Sequence, residues 1–126
     1  MVIVMPHRIL VVDDEDGMRG FLFTILAQAG YDVVAADSVQ AARAVLDEEV
    51  QPDLLITDVR LGDFNGLQLL AMRPLSIPAI VVTGFPDPML EAQARQFGAT
   101  FLIKPFVPAA LLTIVEELLR DRELLP

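Results

Sequence analysis

Five short apolar runs divide the chain into repeating units. The runs cover Arg8–Val12, Tyr31–Ala36, Pro52–Thr57, Pro78–Val82 and Thr100–Ile103. Continuous apolar runs of about four to six residues, bounded by turn residues, are typical of strands buried on both faces of a parallel sheet. We therefore predict that each run forms a strand of one sheet.

Between the runs, apolar residues recur at the spacing of amphipathic helices. The predicted helices are Gly17–Ala29, a helix capped by Ser38, a short helix from Leu67 that ends by Pro74, Pro88–Phe97, and Pro108 to about Glu123. Gly30 and Gly98 follow two of these helices and are typical helix stops. The predicted core-facing residues of the first helix are Phe21, Leu22, Ile25, Leu26 and Ala29.

A strand followed by a helix, repeated five times, predicts the α/β fold class. The expected architecture is a doubly wound, five-stranded parallel sheet with right-handed crossovers and helices on both faces. At 126 residues with 54% hydrophobic content, the chain has the size and composition of a single domain.

Charge and composition exclude several kinds of function. A formal net charge of -9 repels nucleic acid phosphates, so direct nucleic acid binding is not expected. The absence of cysteine excludes disulfides and thiolate metal sites, and a single histidine makes a zinc site improbable. No apolar stretch is long enough to cross a membrane, and Met1–Met5 is too short for a signal peptide. We expect a soluble, cytoplasmic protein.

Polar residues follow four of the five predicted strands. Asp13 and Asp14 follow the first strand, Asp58 the third, Thr83 the fourth and Lys104 the fifth. These residues should converge, because the carboxyl ends of parallel strands share one edge of the sheet. Clustered carboxylates suit Mg²⁺, and an aspartate can attack phosphorus to give an acyl phosphate. We predict that Asp58 accepts a phosphoryl group, with Mg²⁺ and Lys104 neutralising charge and Thr83 donating a hydrogen bond.

Each residue of this set also has an ordinary structural explanation. The acidic run Asp13–Asp16 could provide favourable charge at a helix N-terminus. Asp58 could be a loop or cap residue, and Lys104 a solvated lysine before a helix. Their combined occurrence in the correct topological order favours a phosphoryl-transfer site.

Four stretches of the chain resemble one known family, the receiver domain of two-component response regulators. The matching stretches are Ile9–Glu15, Asp53–Leu61 with Asn65–Gly66, Ile80–Gly84 and Gly98–Phe106. The resemblance implies a (βα)5 flavodoxin-like fold of the CheY type. It also implies one receiver domain over residues 1–126, with a core from about residue 8 to residue 119.

The resemblance assigns roles around Asp58. Asp58 would be the phosphoacceptor, loaded from a sensor histidine kinase or the histidine of a phosphotransfer protein. Asp14 would bind Mg²⁺ directly, Asp13 largely through water, and the backbone carbonyl of Arg60 would complete the metal site. The protein would act in a phosphorelay and would not be an enzyme, beyond assisting its own phosphorylation and dephosphorylation.

The resemblance also implies a conformational switch. Thr83 and Phe101 resemble the paired switch residues of the family, and Lys104 resembles the lysine that contacts the phosphate. The Lys104–Pro105 bond is expected to be cis. Phe101 could equally be a plain core residue of its strand. The signalling face would comprise the last two helices and the fifth strand, facing a downstream effector or an attached output domain. A homodimer through the last helices is plausible, since Leu112 and Ile114 lie off the predicted core-facing stripe.

Two other functional classes remain as alternatives. An aspartate-nucleophile phosphatase would place two aspartates two residues apart after the first strand. Asp14 and Asp16 have that spacing, but Glu15 lies between them. A nucleotide or flavin binder is not one of the two, because it would need a glycine-rich phosphate loop there, which the acidic run opposes. The second alternative is a receiver-like protein-binding module that works without phosphorylation.

The chain departs from the family pattern near the phosphorylation site. Gly62 stands where proline is frequent, the third helix is short, and two prolines lie in the loop Phe85–Pro88. The prolines should restrict that loop. Arg60 and Phe85 occupy positions that flank the phosphoryl group, and we hypothesise that this bulky pair slows its hydrolysis. Replacement Phe85→Ala should then accelerate loss of the aspartyl phosphate.

Overall fold

The structure is a computed structural model that describes residues 5–61, 64–84 and 87–123. The side chains of Leu61, Phe64, Asn65 and Glu123 are outside this description. The strands are β1 (Arg8–Val12), β2 (Asp32–Ala36), β3 (Leu54–Thr57), β4 (Arg60–Leu61), β5 (Phe64–Asn65), β6 (Ala79–Thr83) and β7 (Thr100–Ile103). The helices are α1 (Asp16–Gln28), α2 (Val39–Leu46), α3 (Leu67–Met72), α4 (Pro88–Gln96) and α5 (Pro108–Glu123).

Five strands form one parallel sheet in the order β2-β1-β3-β6-β7. The predicted fold class is therefore confirmed. The sheet places the carboxyl ends of β1 and β3 side by side at its centre, with β6 and β7 following on one side. The short antiparallel pair of β4 and β5 was not predicted, because two-residue strands carry no periodic pattern.

The core consists of two layers, one on each face of the sheet. Odd and even positions of each strand point to opposite faces, so Leu10 and Val12 join one layer while Ile9 and Val11 join the other. The first layer contains buried residues of α2, α3 and α4, and the second contains those of α1 and α5. This two-sided burial explains why the strands are apolar throughout.

The ends of the helices follow local sequence signals. The Ser38 hydroxyl accepts a hydrogen bond from the Ala41 N–H at 3.1 Å, as expected for an N-cap. Gly30 (φ 96°) and Gly98 (φ 78°) follow α1 and α4 in the left-handed region, which glycine enters without steric cost. Among the described residues, none of the helices has both the length and the apolar composition needed to span a membrane.

Two expectations about helix faces need correction. Leu22, Ile25 and Leu26 are buried on α1, but Phe21 is 41% exposed and Ala29 is also exposed. The Phe21 ring instead lies 6.2 Å, between centroids, from the ring of Phe106. Leu112 and Ile114 of α5 are half-buried against the second core layer. They are therefore less available for dimerisation than their positions in the sequence suggest; the dimer itself stays a prediction.

Candidate functional site

Two aspartates lie side by side where β1 and β3 end. The Asp58 N–H donates to the carbonyl of Val12 at 3.2 Å, which extends the ladder between the two strands by one residue. The Asp13 N–H donates to the carbonyl of Ala36 at 3.1 Å. Asp13 is 1% exposed and the Asp58 side chain 11% exposed, so both carboxylates have lost most of their water.

The Lys104 ammonium contacts both carboxylates. Its Nζ lies 2.9 Å from Oδ2 of Asp58 and 3.3 Å from Oδ2 of Asp13. The Lys104 N–H donates to the carbonyl of Thr83 at 2.8 Å, so the pairing of β6 and β7 fixes the start of this side chain. The Lys104–Pro105 bond is cis, as predicted.

The second oxygen of each carboxylate accepts a backbone hydrogen bond. Oδ1 of Asp58 accepts from the Arg60 N–H at 3.1 Å, and Oδ1 of Asp13 accepts from the Glu15 N–H at 2.9 Å. Each aspartate therefore has one oxygen held by the backbone and one held by the lysine. This arrangement fixes both carboxylate planes.

Burial and charge shift two pKa values in the site. Burial raises the pKa of Asp13, and the nearby Asp58 carboxylate adds to the rise; the Glu15 N–H and Lys104 offset it only in part. Burial alone would lower the pKa of Lys104, but the hydrogen bonds and charges of Asp58 and Asp13 outweigh it, and the net pKa is raised. The lysine therefore stays charged, while the pKa of Asp13 lies above its ordinary value.

Gly66 allows the chain to pass directly over Asp58. Its N–H donates to the carbonyl of Val59 at 2.7 Å. A Cβ atom at this position would lie 2.0 Å from the carbonyl oxygen of Asp58, well inside van der Waals contact. Glycine is required here for space, since the backbone angles (φ -59°, ψ -17°) suit any residue.

A cavity of about 320 Å³ opens above these residues. It is lined by Asp13, Asp14, Glu15, Asp58, Arg60, Gly84 and Lys104. Carboxylate oxygens are the ligands that Mg²⁺ prefers, so the donor chemistry fits this ion. Within the described ranges, however, no three acidic or histidine side chains converge as a metal centre, and the lysine contacts the oxygens of two of the candidate ligands. The carboxylate oxygens of this lining are donors of the kind that Mg²⁺ prefers.

The two proposed switch residues lie away from the cavity lining. Thr83 ends β6 and is fully buried. Phe101 is half-buried on β7 and packs against the first core layer, which agrees with the plain core role considered from the sequence. His7 precedes β1 at the opposite edge of the sheet and lines a different cavity.

Sequence reasoning missed three contributions to the site. The backbone N–H of Glu15 donates to the Asp13 carboxylate, and Gly84 lines the cavity. Arg19 donates from Nη1 to the carbonyl of Asp13 at 2.9 Å. Backbone donors carry no side-chain signal, and an arginine one turn into α1 resembles any exposed helical residue. Gly62 and Phe85, which carried two hypotheses about the loops, lie outside the described residues.

Comparison with known proteins gives consistent matches along the chain. A family model described as the response regulator receiver domain matches residues 9–116. The chain is 37% identical over 116 residues to response regulator protein FleR of Pseudomonas aeruginosa, covering 88% of this chain and 24% of that protein. It is 31% identical over 124 residues to the alkaline phosphatase synthesis transcriptional regulatory protein PhoP of Bacillus subtilis, covering 95% and 51%.

Solved structures agree with these matches. A CheY-like response regulator receiver domain protein from Methanospirillum hungatei JF-1 is 30% identical with a TM-score of 0.87, over 94% of this chain and 98% of that one. Chemotaxis response regulator CheY4 of Vibrio cholerae is 28% identical with a TM-score of 0.80, over 90% and 99%. The chain spans about a quarter of FleR and half of PhoP.

Proposed function

Because this chain belongs to the response regulator receiver domain family, we propose that Asp58 is the residue that accepts its phosphoryl group. Receiver domains of this family serve phosphorelay signalling in two-component systems. One observation carries the assignment to Asp58. Its carboxylate lies at the carboxyl end of a central strand, 2.9 Å from a lysine ammonium and against an open polar cavity.

Phosphoryl transfer at Asp58 forms a bond between a carboxylate oxygen and phosphorus. The bond from phosphorus to the imidazole nitrogen of the donor histidine breaks, and its electron pair stays on that nitrogen. Lys104 would exchange its contact with Oδ2 for one with a phosphoryl oxygen and neutralise part of its charge. The Arg60 N–H holds Oδ1 of Asp58 and so orients the carboxylate.

Receiver domains use Mg²⁺. In this chain Asp13, Asp14, Asp58 and the backbone carbonyl of Arg60 would hold the ion, which would supply positive charge to the phosphoryl oxygens. Burial of Asp13 supports this assignment, because a carboxylate with a raised pKa gains more from a second cation than a solvated one does.

The switch that follows phosphorylation involves Thr83 and Phe101. Phosphate adds negative charge and acceptor oxygens, and the hydroxyl of Thr83 would move to bond one of them. The volume that it leaves would be filled by Phe101, which already packs against the first core layer on the neighbouring strand. The shifted equilibrium would be sensed on the face formed by α4, β7 and α5.

Response regulators interact with sensor kinases and with output domains. For this chain the proposed donor is a sensor histidine kinase or a phosphotransfer protein in the cytoplasm. The proposed target is a downstream effector or an attached output domain, with residues 1–126 acting as the receiver unit. The family is not a class of conventional enzymes. We also propose that the domain hydrolyses its own aspartyl phosphate and that Arg60 and Phe85 slow this hydrolysis.

The test is the intact mass after incubation with acetyl phosphate and Mg²⁺. The parent and an Asp37→Ala control, which removes an exposed aspartate after β2, should gain one phosphoryl group. Asp58→Ala should gain none, and EDTA should abolish the gain in the parent. A gain in Asp58→Ala would assign the phosphoacceptor elsewhere. No gain in a folded parent would favour the phosphorylation-independent binding module, with Lys104 permanently bonded to the two carboxylates.

A further inference from the structure

A second cavity lies at the opposite edge of the sheet from Asp58. Its volume is about 480 Å³, within the range of small-molecule sites. It lies where β6 and β7 begin and where α5 ends. Its apolar walls are Leu75, Pro78, Phe97 and Leu118. None of these residues has a part in the proposed phosphorylation chemistry.

Arg73 is the unusual residue of this cavity, because it is only 5% exposed. Its Nε donates to the carbonyl of Ile77 at 2.7 Å, Nη1 to that of Leu70 at 2.7 Å and Nη2 to that of Phe97 at 2.8 Å. These bonds use three of the five N–H donors of the guanidinium. Among the described residues, no acceptor is found for the other two and no carboxylate forms an ion pair with it.

The buried charge of Arg73 is therefore balanced by carbonyl dipoles alone. Burial lowers the pKa of Arg73, yet an arginine side chain remains protonated in proteins. A buried cation without an anion is costly. An anion reaching the guanidinium through the cavity would remove that cost and would use the two remaining donors.

A second arginine of the cavity lining is paired with a carboxylate. Nη1 of Arg122 donates to the carbonyl of Asp53 at 2.8 Å and to Oδ1 of Asp53 at 2.9 Å, which fixes the side chain. Asp121 is the acidic residue of the lining. Asp53 thus balances the charge of Arg122, and Arg73 is the cation of this lining that no described carboxylate pairs with. The unpaired guanidinium of Arg73 favours an anionic ligand over a cationic one.

We propose that this cavity binds a small organic anion, a single carboxylate on an apolar body about the size of a phenyl ring. The carboxylate would bond the guanidinium of Arg73, and the apolar body would pack against Phe97 and Leu118. Charge-assisted bonds between arginine and carboxylate are stronger than neutral ones, so the charge should decide the affinity. The proposal is independent of phosphorylation at Asp58.

The probe is 4-phenylbutyrate, titrated into the ¹⁵N-labelled chain and followed by amide chemical shifts. Saturable shifts are expected around Ser76 and Gly98, which line the cavity. The neutral isostere 4-phenylbutanamide should bind at least about tenfold more weakly than the acid. Acetate, which lacks the apolar body, should not give saturable shifts. Absence of saturable shifts up to about 10 mM of the acid, or equal affinity for the amide, would overturn the proposal.

Charge variants at the cavity rim separate specific binding from a general charge effect. Gln96 is exposed and lines the cavity, so Gln96→Lys should tighten binding of the acid and Gln96→Glu weaken it, each about threefold. The controls Gln40→Lys and Gln40→Glu make the same changes at an exposed residue of α2. They should alter the affinity for the acid little. Equal effects at both positions would show that the anion does not bind in this cavity.

Discussion

At the scale of single residues, Asp13 combines two opposed demands. The proposed metal site needs its carboxylate ionised, but burial raises its pKa above the ordinary 3.8. Lys104 relieves this conflict only in part, because it also bonds Asp58. The ionised Asp13 should therefore reduce the stability of the fold. Such a loss of stability is common where a residue serves a functional site.

Replacement Asp13→Asn should raise the free energy of unfolding at pH 7 by about 0.5–2 kcal/mol. The amide keeps the oxygen that accepts from the Glu15 N–H. Because the folded pKa of Asp13 lies above the unfolded one, its ionisation costs stability as the pH rises through that window. The advantage of the variant should accordingly shrink as the pH falls towards 3.8. Urea unfolding at pH 7 and at a pH near 3.8 measures the difference in unfolding free energy between variant and parent. A variant less stable than the parent at pH 7 would contradict the argument.

Gly66 gives a second prediction at this scale. In Gly66→Ala the new methyl group would meet the Asp58 carbonyl oxygen at 2.0 Å, so the loop must move. We expect a loss of about 2–3 kcal/mol in unfolding free energy and slower phosphorylation. Gly20→Ala in α1 is the matched control, because nothing lies within 4 Å of its added methyl and alanine favours helix by about 0.5–1 kcal/mol. A Gly66→Ala variant as stable as the parent would refute the clash.

At the scale of elements, α4 is held differently at its two ends. Its first turn begins with Pro88, and the Asp87 carboxylate accepts from the Met89 N–H at 2.9 Å. At its last turn Arg73 binds the carbonyl of Phe97 and connects α4 to the end of α3. The C-terminal end is therefore anchored in the core, while the contact described at the N-terminal end is the local cap by Asp87.

Replacement Asp87→Ala should remove this cap and lower the free energy of unfolding by about 1 kcal/mol. The freed N–H of Met89 should also exchange faster with solvent. Ser38→Ala removes the equivalent cap of α2 and should cost a similar amount without changing exchange in α4. Urea unfolding and hydrogen exchange by NMR measure the two effects; unchanged exchange at Met89 would show that the cap does not hold α4.

The sequence predicted elements better than side-chain environments. The bounds of β1, β7 and α5 agree with expectation because periodicity, proline and glycine mark them. Arg73 was not foreseen as a buried cation, since an arginine between a helix and Pro74 resembles an exposed helix end. The carbonyls of Leu70, Ile77 and Phe97, brought together by the fold, make its burial possible.

At the scale of the whole molecule, the parallel sheet explains why the convergence of three candidate residues was predictable. Asp13, Asp58 and Lys104 follow strands whose carboxyl ends share one edge, so topology alone brought them together. What topology could not give was the ammonium bridging both carboxylates, because that depends on side-chain rotamers. The single ammonium compensates part of the negative charge of the two carboxylates.

Mg²⁺ should stabilise the whole fold if the acidic cluster binds it. At about tenfold over its dissociation constant the gain is about 1.4 kcal/mol, or roughly 3–6 °C in Tm. NaCl at equal ionic strength corrects for general screening of the acidic surface. Asp14→Asn should lose the excess effect, whereas the control Asp47→Asn on the exposed end of α2 should keep it. Equal shifts in both variants would argue against a metal site at Asp14.

The lysine of the site is far from its partners along the chain. Lys104 follows Asp58 by 46 residues and Asp13 by 91. During synthesis both carboxylates therefore leave the ribosome well before the lysine that bonds them. The strand β7, which precedes this lysine, joins the sheet at its edge. Until that strand docks, the two carboxylates lack the ammonium that bonds them in the folded domain. The proposed phosphorylation site would therefore be complete only after β7 has joined the sheet.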